Sequence, residues 1–337
     1  MLFRSPMIIG LVAVVVLLVA VIVLAMNRCS DGSAAAPEQG TQTQQTTEST
    51  DGSGTASGTT TASDTSTTTA SGSGTSSTST ASSQAAETNI DRSALTAIID
   101  EDVADKLINR AVTSEDAKWI AQNPSKFAMD GENVQRKLLK LAADEPAAQQ
   151  YVRNFPDKYP MDTPQSGKMN TVATGKGIPR FYQWDEIWGY TVYSGTAFGL
   201  TGCCPTCLAM VYQGLTQKTD LSPYEMGELA VRDGYATEYD GTYANFLVDE
   251  ADALGLYVKE IDVTEKAMKS AMQDGMVIIA NFGPGLFTEY GHYVVITGMQ
   301  QDGSLIMNDP YSEERSNQTW DISTIVEESQ GLYAYSL

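Results

Sequence analysis

Residues 202–211 read Gly-Cys-Cys-Pro-Thr-Cys-Leu-Ala-Met-Val, "GCCPTCLAMV", and carry three of the four cysteines in the 337-residue chain. Three uses are open to such a cluster: a redox pair, a set of metal ligands, or one nucleophile with two neighbours. The residues that follow decide the local structure. Leu208, Val211, Tyr212 and Leu215 recur at i, i+3, i+4 and i+7, which is one face of a helix. Pro205 suits its first turn, where a missing N–H leaves nothing unpaired. Cys203 and Cys204 then stand at the helix N-terminus, where free N–H groups and the positive dipole end favour a thiolate. Those N–H groups also point where an oxyanion forms during attack on a carbonyl. Cys207 lies one turn further on and reads as core.

A nucleophilic thiolate needs a proton acceptor that later acts as an acid. The chain has a single histidine, His292, in "YGHYVVITG" (290–298), where it opens a β-type run. A third group should hold the imidazole. Asp309, in "MNDPY" (307–311) on the next strand, is the candidate, with Asn308 as its rival. One histidine argues against a histidine-based metal site. Adjacent Cys203 and Cys204 diverge, and so make poor joint ligands of one tetrahedral zinc with Cys207 and His292. No metal and no cofactor is expected. Cys204 and Cys207 have C-x-x-C spacing, but no thioredoxin-like βαβ pattern precedes them.

Working outward, helices come first and strands later. "SPYEMGELAVRDG" (222–234) has Ser222 as cap, Pro223 at the first position and Gly234 as stop. "TYANFLVDEADALG" (242–255) and "TEKAMKSAMQDG" (264–275) read as two further helices. "MVIIANF", "HYVVITGMQ" and "SLIMND" are short β-runs, the last two joined by a hairpin signal at Gln301–Asp302–Gly303. "DISTIVEES" (321–329) reads as a solvated helix face. The pattern predicts an α+β fold, helices packed on an antiparallel sheet. Residues 89–165 read as a small helical region. In it "RSALTAIIDEDVADKLINRAV" (92–112) has helical spacing, "TSEDAKWIAQ" opens at Thr113 with a capping-box-like Asp116, and two short helices flank Pro146.

The first 88 residues are of another kind. Met7 to Met26 are twenty apolar residues without a charge, about 30 Å of helix and enough to span a bilayer. Residues 1–29 are read as a cytoplasmic stub and an uncleaved transmembrane signal anchor, with the body of the chain outside. Cys29 reads as an incidental thiol. Ser30 to Thr88 lack Leu, Ile, Val, Met, aromatic, Lys and Arg residues and cannot offset their ordering entropy. Residues 30–88 are therefore read as a disordered tether, with a root-mean-square reach of roughly 40–45 Å. Net charge is −21, and residues 161–337 alone hold 24 acidic against nine basic side chains, a net of −15. A phosphate backbone would be repelled, so no nucleic-acid partner is expected.

Four stretches, "IPRFYQWDEIWGYTVY" (178–193), "TGCCPTCLAMVY" (201–212), "GPGLFTEYGHYVVITG" (283–298) and "MNDPYSEERSNQTWDIS" (307–323), occur in an order that resembles family thirty-nine of the papain-clan cysteine peptidases, the bacteriocin-leader-processing enzymes. The likeness is greatest to their stand-alone relatives in Gram-positive bacteria, and the region "NPSKF…AAQQYVRNFPDKYP" resembles the helical lead-in of those relatives. The resemblance implies a papain-like catalytic domain over 166–337, with Cys203 as nucleophile, His292 as general base, Asp309 orienting it, and Gln183 donating to the oxyanion. It implies a peptide or protein substrate, cleaved at small-residue, Gly-Gly-like sites. Where the family has glycine after the nucleophile, this chain has Cys204, which would cost about 1 kcal/mol or more were a positive φ required there. The expected function is thus a membrane-anchored extracellular cysteine peptidase, with the membrane and the cell wall as surroundings. A cell-wall peptide amidase or endopeptidase with the same triad, and a catalytically silent peptide-binding module, are the alternatives.

Overall fold

The strands "VIIANF" and "HYVVITGM" are apolar at nearly every position, which suits a sheet covered on both faces. In the computed structural model they are β6 (Val277–Phe282) and β7 (His292–Met299), at the centre of a six-stranded antiparallel sheet. The structure describes residue 84 and residues 88–166, 172–174, 177–238 and 241–337, all within one compact unit. The anchor read over 1–29, and the tether over 30–88 apart from residues 84 and 88, lie outside the described residues. No helix among the described residues is long and apolar enough to cross a membrane.

Strand order is β5 (Tyr257–Ile261), β10 (Ser329–Ser336), β6, β7, β8 (Leu305–Asn308), β9 (Thr319–Trp320). Alternation divides the side chains between two cores. Val277, Ile279, Val295 and Tyr335 meet the cysteine-bearing helix, while Ile278, Ala280, Val294, Ile296 and Met307 face the opposite side. That second side is covered by helices Glu265–Gln273 and Ile322–Glu328, through Met268, Met272, Ile322 and Ile325. The stretch read as a solvated helix face therefore buries two isoleucines. The β7–β8 turn passes through Gly303 at φ +90°, a conformation that glycine takes without a Cβ clash.

The helical region comprises α1 (Arg92–Thr96), α2 (Glu101–Ala111), α3 (Glu115–Gln122), α4 (Glu132–Asp144) and α5 (Gln149–Lys158). Three sequence-level expectations change in detail. The helix read over 92–112 is broken at residues 97–100, because Asp100, Glu101 and Asp102 suit a helix start, at the positive end of the dipole. The cap of α3 is Ser114 rather than Thr113, its side chain accepting from Ala117 N–H at 3.2 Å. The long helix read over 242–255 is only one turn, Phe246–Asp249, followed by a series of turns. The core of α1–α5 also takes in Tyr182, Trp184, Tyr190 and Ala197. Tyr151 of α5 stacks on Tyr190, centroids 4.7 Å apart, and its hydroxyl donates to Gly189 O at 3.0 Å.

The cysteine-bearing helix, α6 (Cys203–Thr216), is buried all round from Cys204 to Gly214. It is wedged between the sheet, strand β2 (Ile178–Arg180) and α7 (Pro223–Arg232), the last held by a capping box in which Ser222 N–H donates to Glu225 at 2.9 Å. At Gly214 a Cβ would overlap Ile178 Cδ1 and approach the Ile178 backbone Cα to 2.8 Å. Backbone cannot yield as a side chain does. Gly214→Ala is therefore expected to destabilise the fold by about 1–3 kcal/mol, read as a lowered midpoint in chemical denaturation. A midpoint equal to that of the wild type would show that α6 and β2 can part without loss.

Candidate active site

The start of α6 sets the site. A single helical turn, Phe198–Thr201, precedes it and stops, and Gly202 lies outside both helices. The carbonyl that a continuing helix would offer to Cys203, that of Gly199, instead accepts from Nε2 of Gln183 at 3.0 Å. The Cys203 N–H thus begins a new helix with no carbonyl behind it, in the orientation of an anion donor. The Gln183 amide has a second N–H on the same nitrogen.

The three clustered thiols have different surroundings. Cys203 is partly exposed, whereas Cys204 and Cys207 are fully buried, and all three are free. Burial, with the nearby Cys203, pushes the Cys204 and Cys207 thiols well above their ordinary range, so both stay protonated and poorly nucleophilic. Cys204 has helical backbone and is not among the residues with positive φ. The strain considered for a side chain at this position is absent. Its thiol fits beside Thr242, whose Oγ1 lies 2.5 Å from the Tyr193 hydroxyl.

His292 opens β7 with 6% of its surface exposed. Its Nε2 lies 2.7 Å from Asp309 Oδ1, which leaves Nδ1 as the other ring nitrogen, and Cys203 is near enough to act on the charge of the ring. Burial alone would lower the imidazole pKa. The Asp309 charge and hydrogen bond, helped by Cys203, outweigh it and raise the value to about 9.

Asp309 lies just beyond the end of β8 rather than on the strand. Its Oδ1 also accepts from Tyr311 N–H at 2.8 Å and Ser312 N–H at 3.3 Å, an Asx turn that fixes the carboxylate. Although burial works against the charge, Arg315 and His292 hold the Asp309 pKa below its ordinary value. Asn308 is engaged elsewhere: its Nδ2 donates to Pro179 O at 3.1 Å and its Oδ1 accepts from Arg180. Gln183 is 2% exposed, and its N–H donates to Pro310 O at 2.9 Å, so its segment ties the cysteine end of the site to the aspartate end. Trp184 Nε1 adds a bond to Tyr311 O at 2.7 Å.

Three supporting residues were not singled out from sequence. Arg315 pairs with Asp309 Oδ2 at 2.8 Å. Ser312 caps the short helix Glu313–Ser316, and its hydroxyl donates to the buried Glu145 at 2.6 Å. A Ser-x-x-Arg start could have flagged the first two. Nothing local could have flagged Glu145, which comes from the end of α4 in the helical region.

Gln183, Cys203 and His292 line one cleft of about 990 Å³. One wall is the 283–291 loop, and the other is formed by α2 and α4 through Lys106, Arg136 and Lys140. Lys140 reaches Glu289 at 3.4 Å, and Arg136 donates to the Tyr290 hydroxyl, so the two walls touch.

Asp309→Asn keeps a side-chain oxygen for Nε2–H but removes the charge. The titration midpoint of His292, readable by NMR as the signal of the lone imidazole, should fall from about 9 by more than one pH unit. The sign for stability follows. A folded pKa above the unfolded value of about 6.5 contributes stability that is fully present below that pH and lost as pH rises through about 9. That loss should vanish in Asp309→Asn, and an unchanged midpoint would remove Asp309 from the site.

Residues 176–336 match the Peptidase_C39 like family. Among solved structures, one similar chain is the peptidase domain of Streptococcus ComA, described as a bi-functional ABC transporter involved in a quorum-sensing pathway. It is 22% identical, over 40% of this chain and 90% of that one, with a TM-score of 0.32. No curated protein matches.

Proposed function

We propose that residues 176–336, which match the Peptidase_C39 like family, form a cysteine peptidase domain in which Cys203, His292, Asp309 and Gln183 perform the hydrolysis. One observation carries the assignment: the partly exposed thiol of the cluster stands at a helix start against the chain's single imidazole, itself fixed on a buried carboxylate. In this reading Cys203 Sγ, as thiolate, attacks the peptide carbonyl carbon. The carbonyl electron pair moves onto oxygen, and that oxyanion is met by the Cys203 N–H and the free N–H of the Gln183 amide. The imidazolium of His292 gives its proton to the leaving nitrogen as the C–N bond breaks, leaving a thioester. Neutral His292 then takes a proton from water, whose oxygen attacks the thioester, and the thiolate leaves. Asp309 keeps Nε2 protonated and Nδ1 facing sulfur.

Small-residue, Gly-Gly-like sites are the proposed targets, on the strength of the resemblance to the leader-processing peptidases. The apolar run 7–26 supports a single-pass anchor, and the composition of 30–88 supports a tether holding the domain outside the membrane, within reach of the cell wall. Full-length chain in intact cells should then lose its catalytic domain to added protease. A domain that stays protected until lysis would reverse the topology.

Cleavage of a peptide library provides the test of the chemistry. Cys203→Ala should abolish turnover and labelling by a thiol-reactive peptide, and Cys204→Ala should keep both. Gln183→Ala should lower kcat by about 10²–10³. Activity should fall as pH rises through about 9, where His292 loses its proton. Labelling that survives Cys203→Ala but not Cys204→Ala would reassign the nucleophile.

A further inference from the structure

The guanidinium of Arg315 takes part in none of these steps, yet three parts of the cleft meet at it. Its Nε stands 2.8 Å from Asp309 Oδ2. The N–H is turned off that line, so Oδ2 is buried without accepting a hydrogen bond, and the contact is charge against charge. Nη1 donates to Phe287 O at 2.7 Å, in the loop that leads into His292. The guanidinium carbon lies 5.7 Å from the ring centre of Phe287 and 5.5 Å from that of Tyr311. Arg315 is itself fixed: its N–H donates to Ser312 Oγ at 3.1 Å, and its carbonyl accepts from Trp320 Nε1 at 3.0 Å. Its side chain is 19% exposed.

We propose that Arg315 is a positioning residue for the reaction, one guanidinium that holds the Asp309 carboxylate against His292 and straps the 283–291 loop along the cleft. The inference rests on the reading of Cys203, His292 and Asp309 as the reacting set. The two contacts point in different directions from a planar fork. An ammonium supplies the charge but cannot reproduce that geometry. The other groups acting on this carboxylate are few. His292 faces it from β7, the Tyr311 N–H from its own loop and Cys207 from α6, while Asp144 and Glu145 of the helical region act on the neighbouring Tyr311 hydroxyl. Arg315 and His292 are the cations that act on it.

The test uses the full-length chain with ¹³C-labelled histidine, in which the described imidazole is the only one, together with mass-spectrometric hydrogen exchange. In Arg315→Met, which keeps packing between the two rings but no longer holds the carboxylate, the His292 midpoint should fall from about 9 toward that of free imidazole by on the order of one pH unit. Exchange in residues 284–290 should become roughly tenfold faster as a charge-assisted bond is lost. Arg315→Lys should leave the midpoint within a few tenths of a unit and still free the loop. A midpoint that stays put or rises in Arg315→Met while thermal unfolding remains cooperative overturns the proposal. So does loop exchange unchanged in both variants. If Arg315→Met does not fold, the loop response of Arg315→Lys decides. Neither readout requires turnover, so a chain that cleaves no peptide would count against the peptidase reading alone.

Discussion

A protonated imidazole, buried almost completely, has to be kept charged. Desolvation opposes the charge on His292 and the charge on Asp309 alike; Asp309, 2.7 Å away, retains the first, and Arg315 with His292 retains the second. An interaction of this kind is worth its desolvation cost only when the geometry is fixed and the remaining lone pairs are satisfied. Around Asp309 two backbone N–H groups satisfy one oxygen, while the other accepts no hydrogen bond and is met by a guanidinium charge alone. The loop that provides them is seated on Glu145 through Ser312.

The same demand explains why the site draws on distant parts of the chain. β7 delivers His292 from the sheet, and α6 delivers Cys203 from the opposite layer. The 181–184 segment bonds both to Gly199, next to the cysteine, and to Pro310, next to the aspartate. Gln183 is therefore tied to both ends of the site, and the opening of the cysteine helix and the aspartate loop share one set of backbone bonds. Cys204 and Cys207 are what such a helix needs on its inner side: small, apolar, and protonated because they are buried.

Much of this was legible in sequence, for identifiable reasons. The spacing after Pro205, the lone histidine and the hairpin at Gly303 are local signals, and each falls on the element expected of it. The α+β arrangement followed from helices preceding strands. What could not be read depends on partners far apart in the chain. Strand β5 is largely exposed at the sheet edge, so "YVKEI" lacks a buried-strand pattern. The run 242–255 has helical composition, but packing reduces it to one turn. The choice between Asn308 and Asp309 could not be made from adjacent residues. It turns on Pro179 and Arg180 engaging one side chain and His292 the other.

The shared core of the helical region and the segment around Tyr190 also bears on how the molecule comes into being. Translation delivers the N-terminal helices first, so that core stays incomplete until Tyr182, Trp184, Tyr190 and Ala197 emerge. The cysteine helix follows, then the imidazole, and the carboxylate with its guanidinium comes later still, at residues 309–315. A nascent chain halted before that point has a thiol and an imidazole but no anion to keep the latter charged.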